Sequence, residues 1–165
     1  MSTRRIEELV DDLRRALDGD PWHGSSLAAL LRGCTATEAT HTSIEGVHSI
    51  WAIVLHLTAW TDEVRLRLGG KSPSTPPQGD WPAVPTRATD AAWRGARSRL
   101  TSAHRALEAA VLELPPRRLD HLVGGLRDPA LGTGTTYAGM VRGLIQHHAY
   151  HGGQIALLRR AYRVA

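Results

Sequence analysis

The chain has 165 residues, about the length of one domain, with 42% hydrophobic and 22% charged residues, the balance of a soluble globular protein. One cysteine, Cys34, excludes an internal disulfide framework and a thiolate zinc cluster. The formal charge of +4 is small and its arginines are scattered in pairs such as Arg14–Arg15 and Arg159–Arg160, so no nucleic-acid groove is expected; nine histidines are the compositional feature that asks for an explanation.

The first segment, MSTRRIEELVDDLRRAL, carries Ile6, Leu9, Val10, Leu13 and Leu17 at three- and four-residue spacing, which predicts an amphipathic helix over 4–18. It has no apolar core of the kind a signal peptide needs, so a cytoplasmic protein is expected. DGDPWHG (18–24) breaks the helix. A short helix follows at 25–32, and Thr35 with Glu38 has the form of a capping box opening one more turn.

A second long helix is expected over about 45–69, with Ile50, Ile53, Val54, Leu57, Trp60, Val64 and Leu68 inward and Gly69–Gly70 as its stop. Trp51 falls off that stripe and is expected to face outward. The apolar run from Trp51 to Leu57 is far short of the roughly 20 residues of a membrane span. The segment KSPSTPPQGDWPAVPTR is too rich in proline and glycine for a helix. Extended, residues 70–87 reach roughly 59 Å, against about 36 Å for a 24-residue helix, so this loop is long enough to cross the whole bundle.

The third long helix starts at Thr89 or Asp90 and stops before Pro115–Pro116, with Trp93, Leu100, Leu107, Val111 and Leu114 inward. Residues 115–134 read as an irregular connection. Thr135 or Thr136 caps the last helix, which runs to about Tyr162. No alternating strand pattern is present, and four long helices imply a single all-α domain over 1–165, a four-helix bundle.

Three histidines crowd into QHHAYHGGQ: His147, His148 and His151. On a helix, His147 and His151 differ by about 40° in direction and about 6 Å along the axis, close enough to share one ion. Two such imidazoles must have their nitrogens satisfied if buried, by a metal or by hydrogen bonds. His148 and His151, at i and i+3, are a second geometrically possible pair. His56, within IVLHLTAW, is the natural third ligand if its helix faces the last one. Alone it would read as a core histidine held by hydrogen bonds. Glu63 and Gln154 lie on the stripes of His56 and His151 and are candidates for orienting the ligands from behind. Helical zinc proteases place a glutamate base where this chain has His148, so that reading lacks its base.

GDPWHGSSLAALL (18–30), GVHSIWAIVLHLTAW (46–60) with RLGG (67–70), GDWP (79–82) and IQHHAYHGGQIALLRRA (145–161) together resemble the DinB-like superfamily, metal-binding four-helix bundles that include the YfiT-like and mycothiol-dependent maleylpyruvate isomerase N-terminal domains. The resemblance implies an up-down-down-up bundle with the long crossover between helices two and three. It also implies one divalent metal held by His56, His147 and His151, which selects His147 over His148. His148 stands where relatives often have an acidic or other polar residue, and the role implied for His48 is structural. Three imidazoles with an open fourth position favour zinc or nickel. Characterised relatives include thiol-dependent transferases and isomerases, so the implied function is a metal-dependent enzyme that uses a low-molecular-weight thiol and a small-molecule substrate. A non-catalytic or stress-associated metal-binding bundle and a metal-dependent hydrolase are the alternatives, since the same ligands serve all three. Relatives are often dimers, so a homodimer is expected.

Overall fold

The computed structural model describes residues 2–42 and 44–164. Among these, the helices are α1 (Ser2–Leu17), α2 (Leu27–Leu31), α3 (Ala36–Thr40), α4 (Ile50–Leu68), α5 (Asp90–Leu112) and α6 (Tyr137–Val164), with a 3₁₀ turn at Pro116–Asp120. The protein is an all-α bundle of four long helices, in which α1 and α4 each pack against both α5 and α6. Among the described residues no helix is long and apolar enough to cross a membrane.

The helix starts follow their caps. Ser49 accepts a hydrogen bond from the Ala52 amide, so α4 begins five residues later than the apolar pattern suggested; the residues before it form a turn containing Gly46 at φ 75°. Thr89 caps α5 by accepting from Ala92 N, and Thr35 does the same for α3 from Glu38 N. Thr136 Oγ1 accepts from Gly139 N in the first turn of α6. Within 115–134 the irregular connection holds one small element: Leu122–Val123 pairs antiparallel with Thr135–Thr136. Two-residue strands are too short to leave an alternating pattern in a sequence.

The apolar core divides into two clusters. Leu27, Leu31, Ile50, Ile53, Leu57, Trp93, Leu100, Ile155 and Leu158 form one, and Ile6, Leu9, Leu13, Val64, Leu68, Leu107, Val111, Val141 and Leu144 the other. The amino-terminal halves of α4 and α5 therefore share a cluster with the carboxy-terminal half of α6. At the seam lies a layer of polar side chains: His56 and Thr61 from α4, His104 from α5, and His147, His148 and His151 from α6.

Trp51 corrects the expectation of an outward side chain. It is fully buried, packed with its ring centroid 5.1 Å from that of Trp93. The short helix α3 packs against α4, and its Ala36 and Ala39 belong to the same cluster as Trp51. Stripe arithmetic on one helix could not anticipate that cover.

Candidate metal centre

His56, from the middle of α4, and His147 and His151, one turn apart on α6, point their Nε2 atoms at one another. His56 Nε2 lies 2.9 Å from His147 Nε2, and His151 Nε2 lies 3.0 Å from it. These three residues offer one ligand atom each within a single small volume, and could hold a metal ion. His56 and His151 are buried and His147 is partly exposed.

The outer nitrogens decide the protonation. His56 Nδ1 donates to the main-chain carbonyl of Asp80 at 2.6 Å, and His151 Nδ1 donates to Gln154 Oε1 at 2.7 Å. A carbonyl oxygen has only lone pairs to offer, so in both rings the proton sits on Nδ1 and Nε2 is bare. Burial disfavours the doubly protonated ring: it lowers the pKa of His56 and His151 and, with the nearby His151 and His56 rings, takes His147 down to about 4. A neutral His147 has one proton to give through Nε2 at best, and it faces two bare acceptors. The lone pairs therefore converge without enough protons between them, which a cation satisfies and a set of hydrogen bonds does not. The residues present fit a divalent metal.

The loop between α4 and α5 closes one side of this centre. Asp80 supplies the carbonyl for His56, and its side chain is held in turn by Trp60 Nε1 at 2.7 Å. Trp81 stacks on the His56 ring at 4.0 Å and 10°, and His48 stacks on Trp81 at 3.5 Å and 11°. The sandwich His48–Trp81–His56 fixes the plane of the imidazole. Nothing in helical spacing singled out Asp80, Trp60 or Trp81 for this work; the GDWP segment (79–82) was the only trace of it in the sequence.

His148 points away from the triad. It is buried, and its Nε2 lies 3.2 Å from Thr61 Oγ1 while its Nδ1 lies 3.0 Å from His104 Nε2. Thr61 spends its own proton on the Leu57 carbonyl, so it accepts from His148 Nε2–H. His148 Nδ1 must then accept from His104 Nε2–H, which leaves His104 Nδ1 bare, buried and without a partner among the described residues. Burial pushes His104 down to about 4 and His148 well below the usual range, keeping both neutral as this chain of bonds requires. His104 was not singled out in the sequence, because one histidine on the apolar face of a helix carries no spacing signal.

Of the two residues expected to support the ligands, Gln154 touches His151. Glu63 does not reach the triad among the described contacts. It is fully buried and bonds Arg67 Nε (2.9 Å), Lys71 Nζ (2.5 Å) and the Ser74 amide (3.2 Å). It lies seven residues beyond His56, about 10 Å along the axis, where Arg67 and the start of the loop claim it. Burial raises its pKa, but the bonds from Lys71, Arg67 and Ser74 together outweigh that and hold it below the ordinary carboxylate value.

Next to the triad lies a cleft of about 600 Å³ between α4, α6 and the 127–135 loop, with His147 in its wall beside Trp60, Arg67, Arg127, Leu144 and Gln146. It is the size of a small-molecule site.

No curated protein and no solved structure gave a significant match. The DinB superfamily profile matches residues 22–155, which takes in α2 through most of α6, the loop carrying Asp80 and Trp81, and all three histidines of the triad. The chain belongs to the DinB superfamily.

Proposed function

We propose that His56, His147 and His151 hold one divalent transition metal, zinc or nickel, and that the protein is a metal-dependent enzyme acting on small molecules, of the thiol-dependent transferase type. The observation that carries this reading is the convergence of three Nε2 atoms, two of them with their Nδ1 protons already committed to Asp80 and Gln154, at the wall of a cleft. Imidazole donors suit borderline metals rather than calcium or magnesium. Bound by these three neutral imidazoles, such a metal would supply Lewis-acid chemistry that favours the thiolate form of a thiol.

The chain's own residues supply the rest. Asp80 and Gln154 orient two of the ligating rings, Trp81 covers His56 from the loop side, and the cleft beside His147 gives a small molecule access to the one ligand that is partly exposed. Room and basic side chains next to the triad favour an enzyme over a non-catalytic metal-binding bundle, whose site a side chain would cap. The test is conjugation of an electrophile with bacillithiol, mycothiol or glutathione, with and without chelator. Chelator-sensitive turnover with one of these thiols supports the proposal. Turnover indifferent to chelator contradicts it, metal binding without turnover favours the non-catalytic bundle, and chelator-sensitive ester or amide hydrolysis favours a hydrolase.

A further inference from the structure

The cleft beside His147 has a one-sided charge. Its lining contains two arginines, Arg67 and Arg127, and no carboxylate. Arg67 is a fixed charge: its Nε bonds Glu63, and its two terminal nitrogens bond the carbonyls of Leu131 (2.6 Å) and Ser74 (3.0 Å). Glu63 is the single carboxylate of a knot that also contains Lys71, so Arg67 and Lys71 against Glu63 leave one positive charge under the cleft floor. Arg67, the buried cation of this knot, borders the cleft, while the partly exposed Lys71 makes the knot's net charge positive, which raises the potential there.

Arg127 is the free cation of the pair. It is exposed and makes no ion pair or side-chain hydrogen bond among the described residues. Its backbone, in contrast, is pinned on both sides. The buried Thr133 hydroxyl donates to the Leu126 carbonyl at 2.7 Å and accepts from the Asp128 amide at 2.9 Å, the two peptide groups flanking Arg127. Gly134 closes the same turn at φ 71°, and a Cβ there would sit 2.7 Å from the Arg127 Cα. A guanidinium presented on a fixed turn, at the mouth of a cleft that has no anion of its own, is arranged for a bidentate ligand from solution. Trp60, Met140 and Leu144 give the wall an apolar stretch beside the polar Thr135 and Gln146, and at Gly143 the helix leaves open space where a side chain would project.

We propose that this cleft binds a small organic acid, with its carboxylate on Arg127 and its aliphatic or aromatic body along Trp60, Met140 and Leu144 toward His147. The proposal rests on the reading of the triad as a site acting on small molecules and specifies what they carry. The carboxylate belongs either to the thiol or to the molecule it attacks.

Calorimetric titration of the full chain, zinc-loaded and zinc-free, with 3-phenylpropanoate, 3-phenylpropan-1-ol and 3-phenylpropylamine tests it. The acid binds about 10-fold or more tighter than the alcohol, the scale of one charge-assisted pair, and the amine binds weakest. Arg127→Met removes the preference for the acid, Arg127→Lys restores part of it, and Gly143→Leu weakens acid and alcohol alike while zinc content stays at the wild-type level. Equal affinity for acid and alcohol overturns the proposal, and so does a preference that survives Arg127→Met. A preference lost with zinc but retained in Arg127→Met places the carboxylate on the metal and also overturns it. Replacing the phenyl acid with 3-mercaptopropanoate locates the carboxylate: tighter, Arg127-dependent binding assigns it to the thiol, and no gain assigns it to the second molecule. Failure of the transferase reading shows only in turnover, which none of these titrations measures.

Discussion

His56 and Asp80 meet through an imidazole N–H and a main-chain carbonyl 2.6 Å apart, and that bond joins the middle of α4 to the loop that crosses toward α5. A main-chain acceptor cannot be removed by substitution, but its holder can. Trp60→Phe deletes the indole N–H that fixes the Asp80 side chain. Metal affinity is expected to fall, by up to about 10-fold, at the low end of what outer partners of metal-bound histidines contribute. Competition with a fluorescent zinc chelator measures it, and an unchanged dissociation constant would separate this loop from the metal centre.

Gln154 holds the other buried ring. Gln154→Leu removes the acceptor of His151 Nδ1–H and frees that ring to rotate or change tautomer. Affinity should fall by about 10- to 100-fold. Gln154→Glu keeps an acceptor in place and should recover most of the loss. Equal affinities for the leucine and glutamate variants would count against an orienting role.

The buried knot around Glu63 is a stability element rather than a part of the metal centre. Arg67→Leu leaves a fully buried carboxylate with Lys71 as its one remaining cation. Breaking a buried pair from one side costs about 3–5 kcal/mol. Urea unfolding should show a loss of that size, with metal content per folded chain unaltered. Little change in the unfolding midpoint would contradict the weight given to this pair.

His104 makes stability depend on pH. Its folded pKa of about 4 lies below its ordinary value of 6.5, so between those values the unfolded chain takes up a proton that the folded chain refuses. Stability is complete above pH 6.5 and declines as the pH falls toward 4, by about 1.4 kcal/mol per pH unit for this group and about 3 kcal/mol in all. His148, depressed further, adds to the slope in the same direction. His104→Leu should flatten the dependence of the urea midpoint on pH over 6.5 to 4.5. An unchanged slope would mean that the decline has another source.

The helices were legible because they are periodic, whereas the choice of His147 over His148 beside His56 and His151 came from the family resemblance and not from spacing. A 3.6-residue repeat writes the core of α1, α4, α5 and α6 into the sequence, and an i, i+4 pair of histidines survives in that repeat as a stripe. What the repeat cannot express is contact between elements. Trp51 lies off the α4 stripe yet is buried, in a cluster it shares with Trp93 of α5 and with Ala36 and Ala39 of the five-residue α3. Glu63 lies near the His56 stripe yet serves Arg67 and Lys71, since two turns of helix carry it out of reach of the triad. The carbonyl of Asp80 has no sequence signature at all, because any residue offers the same group. His148 and His104 became a pair only when α5 and α6 were packed, and six of the nine histidines then resolved into the candidate triad, a buried hydrogen-bonded pair and one ring, His48, stacked on Trp81.

The claim on which the rest depends is that His56, His147 and His151 bind one metal ion. Elemental analysis of the untagged protein, beside His56→Ala and His151→Ala and after growth with zinc and nickel, measures this directly. The expected result is about one zinc or nickel per wild-type chain and loss of nearly all of it in both variants, because two imidazoles hold a divalent ion far more weakly than three. Wild-type protein without metal, or full occupancy retained in both variants, would contradict it.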